Sequence, residues 1–143
     1  MGGLLDRLKE WRQHEDDSVT GARGRAGERA AKQHLQQSGL KFLTANYRSN
    51  RGGIDLVFRE EDCLVFVEVK TRTAGGWTRP AAAVNAGKRL RLTRCAFDYL
   101  RSLKNPPIKI RFDIVEVLLE EGSVVEVRHL PNTFTLTAPY RYG

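Results

Sequence analysis

Asp55 in GGIDLVF, and Glu68 and Lys70 in CLVFVEVKT, put two carboxylates and an ammonium inside otherwise apolar runs. Alternate side chains of a strand share a face, so Leu64, Phe66, Glu68 and Lys70 point one way and Cys63, Val65, Val67 and Val69 the other. One face is wholly apolar, and the other begins apolar and ends in charge, on a strand whose pattern indicates burial on both sides. Partly desolvated ions cost several kcal/mol unless they are paired or bound to a metal. Hard carboxylate oxygens suit Mg²⁺ or Mn²⁺, with water and substrate phosphate completing the octahedron. Asp55 and Glu68 could hold such an ion, which would activate water and stabilise charge developing on phosphate oxygens. Lys70 could position the water or offset that charge.

Register decides whether Asp55 joins the pair. If the REED turn leaves a loop of two or four residues, the paired numbers sum to 123 or 121, and Asp55 shares the face of Glu68 and Lys70. A three-residue loop gives 122 and places Asp55 on the other face. The residues favour neither parity.

The elements that must position these groups can be read from periodicity and punctuation. RAGERAAKQHLQQSG predicts a helix with a narrow stripe of Gly27, Ala30, Ala31, His34 and Leu35, stopped by Gly39. The small stripe implies close packing on a sheet, and Glu28 borders that buried face as a further metal or water contact, or as a partner of Arg25, Arg29 or Lys32. LKFLTANYR, GGIDLVF and CLVFVEVKT read as a three-strand meander. A helix is predicted from Val84 to Leu103, with a stripe of Leu92, Cys95, Ala96, Tyr99, Leu100 and Leu103, broken by NPP. IKIRFDIVEVLL and SVVEVRHL read as a second hairpin. This order predicts one α/β sandwich over residues 21–143, a mixed sheet of about five strands flanked by helices. Residues 1–20 read as a mobile extension with Leu4, Leu8 and Trp11 at helical spacing.

The 143-residue length fits one domain able to bury roughly 68% of its unfolded surface. With 24 Lys+Arg against 17 Asp+Glu the net charge is +7, which favours a polyanionic partner. The longest apolar run, Cys63 to Val67, is far short of a membrane span, and the N-terminus carries no signal-peptide pattern. The expectation is a cytoplasmic protein with no membrane partner. Cys63 and Cys95 read as buried reduced thiols rather than zinc ligands. His34 reads as a packed core residue, and His14 and His129 have no partner spacing. Asp113 reads as a salt-bridge partner of Arg111, and Glu116 and Glu126 as solvent or edge positions.

The segments GERAAKQHL, NYRSNRGGIDLV, LVFVEVKTR, KRLRLTRCAFDYL and RFDIVEV, in order over roughly residues 21–134, strongly resemble the YraN family, bacterial proteins of uncertain function with a restriction-endonuclease-like fold. Asp55, Glu68 and Lys70 match the nuclease signature of that superfamily one for one. Glu28 resembles the extra acidic residue of resolvase-like members. The resemblance implies a restriction-endonuclease-like sandwich, a Mg²⁺- or Mn²⁺-dependent phosphodiesterase site and DNA as partner, branched, nicked or single-stranded. Resolvase-like proteins often act as dimers, so a homodimer enters as an option. One departure is that Gly53 stands where the family usually has Glu, which bears on metal choice and rate.

Across residues 79–104, Arg79, Lys88, Arg89, Arg91, Arg94, Arg101 and Lys104 face only Asp98. With Arg48, Arg51 and Arg72 beside the site strands, Lys88, Arg91 and Arg94 fit contact with a phosphate backbone without base readout. Trp77 could stack on a base or cover the core edge. Two other readings stay open: a nucleic-acid-binding adaptor without turnover, and an interaction module whose basic helix docks an acidic partner.

Overall fold

The computed structural model describes residues 21–73 and 86–134, so the expected N-terminal extension and the readings of Trp77 and Arg79 lie outside the described residues. The elements run α1 (Ala22–Gln37), β1 (Lys41–Ser49), β2 (Gly52–Glu60), β3 (Cys63–Thr73), α2 (Ala86–Ser102), β4 (Lys109–Glu120) and β5 (Ser123–Phe134). The strands form one sheet in the order β1-β2-β3-β4-β5. All neighbours are antiparallel except β3 and β4, which run parallel and are joined through α2. The expected α/β sandwich with a mixed five-stranded sheet is what forms.

Alternation along β3 divides the core. Val65 and Val67 pack with Ala31 and Leu35 of α1, whereas Leu64 and Phe66 pack with Leu92, Cys95, Ala96 and Leu100 of α2. The two helices therefore cover opposite faces of the sheet. The last residue expected on the α2 stripe, Leu103, is instead 44% exposed, because the helix ends at Ser102 and the chain turns away.

Chain punctuation behaves as its chemistry requires. Gly39, at φ 97°, follows α1 as the Leu40 N–H reaches the Leu35 carbonyl and the Gly39 N–H that of Gln36, a Schellman stop. Glu121 and Gly122, at φ 50° and 81°, form the two-residue turn joining β4 to β5.

The narrow stripe on α1 has the close packing its small residues imply. A Cβ built on Gly27 would overlap Thr71 Oγ1 on β3 and lie 3.1 Å from Thr71 Cβ. Gly27→Ala is therefore expected to destabilise the fold by about 1–3 kcal/mol through overpacking. Denaturant unfolding of G27A and of the G27A/T71A pair checks this; recovery in the pair identifies Thr71 as the obstacle.

Candidate active site

The REED turn closes with Glu60 opposite Cys63, a two-residue loop, and β2–β3 pairs sum to 123 up to Leu56 opposite Val67. This is the parity that turns Asp55 toward Glu68. At Asp55 the ladder stops, and Asp55 Oδ2 accepts the Val69 N–H at 2.8 Å. A carboxylate thus occupies a position where a strand carbonyl would otherwise be needed as the strands part. Alternation breaks at the same point: Ile54 and Val57 both pack on the α2 side, Leu56 and Phe58 on the α1 side. On β1, Asn46 stands between the pairs Ala45/Leu56 and Tyr47/Ile54 with φ 53°.

Glu68 is 13% exposed and its Oε1 lies 2.9 Å from Lys88 Nζ, on a lysine that is 2% exposed. Burial, then the nearby Asp55 charge, push the Glu68 carboxyl up to about 7, against the opposing pull of Lys88 and Lys70. The chain therefore gathers two carboxylates and two ammonium groups at one end of the sheet.

Lys88 is corrected by this geometry. It is not an outward-facing phosphate contact but a buried partner of Glu68. A sequence signal existed, since Lys88 lies four residues before Leu92 and so in phase with the apolar stripe. Arg51 is committed elsewhere: its Nε and Nη2 bond Asp98 at 3.1 and 2.6 Å, and Nη2 also bonds the Arg94 carbonyl. The guanidinium holds Asp98 below the usual carboxylate range and ties the β1–β2 turn to α2. Arg48 is exposed, while Arg72, Arg91 and Arg94 are half-buried, with Arg72 on the strand face of Glu68 and Lys70.

Glu28 stands on α1, the helix that covers the opposite face of the sheet from α2. Its Oε2 accepts the Asn46 amide at 3.3 Å, which links α1 to the β1 position beside Asp55. A Cβ at Gly53 would meet the Tyr47 carbonyl at 3.4 Å and Arg48 Cγ at 3.8 Å, so a Cβ would make ordinary contacts there.

The second carboxylate centre is structural. Asp113 is fully buried and accepts from Arg111, from His129 at 2.7 Å and from the Asn132 N–H at 2.9 Å. Burial raises its pKa, but these donors outweigh burial and hold it below the ordinary value. The expected Arg111 bridge forms, and His129 gains a partner that its spacing did not indicate. The expectation of buried reduced thiols holds for Cys95, which burial drives up to about 11, whereas Cys63 is a free thiol that is only half-buried, its pKa also raised by burial.

Glu116 is a second correction. It is 1% exposed, not at a solvent edge, and its Oε1 has no hydrogen-bond partner among the described residues. The apolar setting FDIVEVLL carried that signal, for it repeats the buried pattern around Glu68.

Among the described residues no group of three or more His, Cys, Asp or Glu is placed to hold a metal directly. Asp55 and Glu68 could offer two hard-oxygen ligands, and the Asp55 charge already acts on Glu68. That donor set fits Mg²⁺ or Mn²⁺, which bind through one or two carboxylates and otherwise keep water.

The family model described as uncharacterised protein family UPF0102 matches residues 27–117. A UPF0102 protein of Rhodococcus opacus is 36% identical over 113 residues, covering 79% of this chain and 96% of that protein. One from Chlorobaculum tepidum is 37% identical, with 78% and 90% covered, and one from Symbiobacterium thermophilum is 41% identical, with 78% and 94% covered. No helix among the described residues is long and apolar enough to cross a membrane.

Proposed function

The chain belongs to the uncharacterised protein family UPF0102; from the match of Asp55, Glu68 and Lys70 to the nuclease signature and the geometry of their cluster, we propose that it is a Mg²⁺- or Mn²⁺-dependent phosphodiesterase acting on DNA. The observation that carries this reading is that Asp55, anchored on the Val69 N–H where the β2–β3 ladder stops, acts electrostatically on the buried Glu68, whose carboxyl is raised to about 7 by burial and by that charge. Two mutually repelling, partly desolvated carboxylates form a place where a divalent cation is favoured.

In this reading Asp55 and Glu68 hold the metal, which would supply Lewis acidity and lower the pKa of bound water. Asp55 is oriented for the task by the Val69 N–H. Lys70, whose charge acts on Glu68, orients the attacking water or offsets charge on the phosphate oxygens as the P–O bond to the leaving oxygen breaks. Glu28 acts through Asn46 as a positioning residue. Exposed Arg48 and half-buried Arg72, Arg91 and Arg94 contribute sequence-independent phosphate contacts. A cytoplasmic setting, supported by the free thiols, and a homodimer presenting two sites to two strands belong to the same proposal.

Asp55→Ala and Glu68→Ala are each expected to lower metal-dependent cleavage of a branched DNA by at least about 100-fold. Their DNA affinity should stay close to wild type. Gel assays with Mn²⁺, alongside binding measured over a salt series, test both statements. Equal cleavage by wild type and both variants would sink the proposed site.

A specific observation favours a second reading, a DNA-binding adaptor without turnover. Lys88 already bonds one carboxylate oxygen of Glu68, a group proposed to hold the metal. Salt-sensitive DNA binding with neither metal uptake nor cleavage would establish the adaptor.

A further inference from the structure

We propose that Glu116 is a third carboxylate of this site, a positioning residue that accepts hydrogen bonds from the water shell of the divalent cation held by Asp55 and Glu68. The inference rests on the metal-dependent reading above and adds a residue from a different strand. In the parallel β3–β4 ladder Glu116 is the direct partner of Lys70, and Ile114 that of Glu68. Partners in adjacent strands lie about 4.8 Å apart with side chains on one face. Glu116 therefore joins Glu68 and Lys70 on the α2 side, where its strand neighbours Phe112 and Ile114 also pack.

Its condition is unusual in this fold. Asp113, also buried, is met by Arg111, His129 and a backbone N–H, and Asp98 is held by Arg51. Glu116 is equally buried, yet its Oε1 has no hydrogen-bond partner among the described residues. An unsatisfied buried carboxylate oxygen carries a large desolvation cost, so a site that supplies donors removes a penalty already present. Water on Mg²⁺ or Mn²⁺ is such a donor: these ions retain several waters, and carboxylates outside the inner sphere commonly orient them. A water-mediated role also agrees with a cluster that offers two carboxylates, not three, for direct ligation.

The test uses the full chain and Mn²⁺ as probe, with affinity read by calorimetry, hydration by water-proton relaxivity, and thermal unfolding with and without the ion. Glu116→Gln keeps the shape and removes the charge. It is expected to weaken Mn²⁺ binding about 10-fold, alter the relaxivity of the bound ion, and raise the metal-free melting temperature. Glu116→Asp keeps the charge but shortens its reach, and should weaken Mn²⁺ binding severalfold. Unchanged affinity and relaxivity in either variant, with Mn²⁺ binding lost in Glu68→Ala, would overturn the role of Glu116 while leaving the Asp55–Glu68 site standing. Absence of Mn²⁺ binding by the wild type would overturn both.

Discussion

Lys88→Met is expected to cost the metal-free protein about 3 kcal/mol and to make its stability depend on divalent cations, because removing one member of a buried ion pair leaves the other without its direct counter-charge. Lys88 is 2% exposed, Glu68 13%, and their charged atoms are 2.9 Å apart. Without the ammonium, Glu68 would retain Lys70 as a nearby cation while still facing Asp55. The polypeptide thus carries its own counter-charge for the carboxylate proposed to bind metal. A divalent ion can take over that role, so Mn²⁺ should restore more stability to Lys88→Met than it adds to wild type. Urea unfolding of both proteins with and without Mn²⁺ measures this. Equal unfolding midpoints in the absence of metal would show that Lys88 is not the compensating charge.

The second large effect is pH dependence. Glu68 titrates near 7 in the folded protein against 4.5 as its ordinary value, so between these limits the folded state holds more protons than the unfolded chain. Stability must then fall as pH rises from about 4.5 to about 7 and level off above, a total loss of about 3 kcal/mol accumulated at roughly 1.4 kcal/mol for each pH unit crossed. Asp98 and Asp113 act oppositely: their carboxyls are lowered, so their contribution is lost only as pH falls below the ordinary aspartate range. The two effects occupy separate windows. Glu68→Gln should flatten the decline between pH 5 and 7 and leave the acid limb in place, as thermal melts across pH will record. A metal that binds Glu68 must also displace its proton, so Mn²⁺ affinity should rise about tenfold per pH unit up to pH 7 and then level. A flat affinity profile from pH 5.5 to 7 would remove Glu68 from the metal site.

Much of the fold is local and therefore legible in the residues. The period-two pattern of CLVFVEVKT assigns Glu68 and Lys70 to one face, and the α2 side does receive Leu64 and Phe66. Gly39 stops α1 because only its neighbours need be known to place a left-handed residue there. Even the Asp55 question reduces to the parity of a short loop. What residue patterns cannot supply is the departure at Asp55, where the strands part and a side chain replaces a ladder partner. That departure depends on α1, β1 and β3 meeting at one point.

Lys88 and Glu116 mark the boundary most sharply. Sequence alone determined the α/β order, the buried strands, the faces of Asp55, Glu68 and Lys70 up to one parity, and an excess of basic residues on the second helix. Tertiary structure decided that one of those basic residues turns inward to Glu68, and that Glu116 stands beside Lys70. The physical reason lies in the parallel pairing of β3 with β4. An antiparallel hairpin inherits its register from the turn between its strands, whereas a parallel pair is joined through a helix whose seating on the sheet sets the offset. The packing of α2 against Phe66, Phe112 and Ile114 therefore fixes both the depth of Lys88 and the neighbour of Lys70.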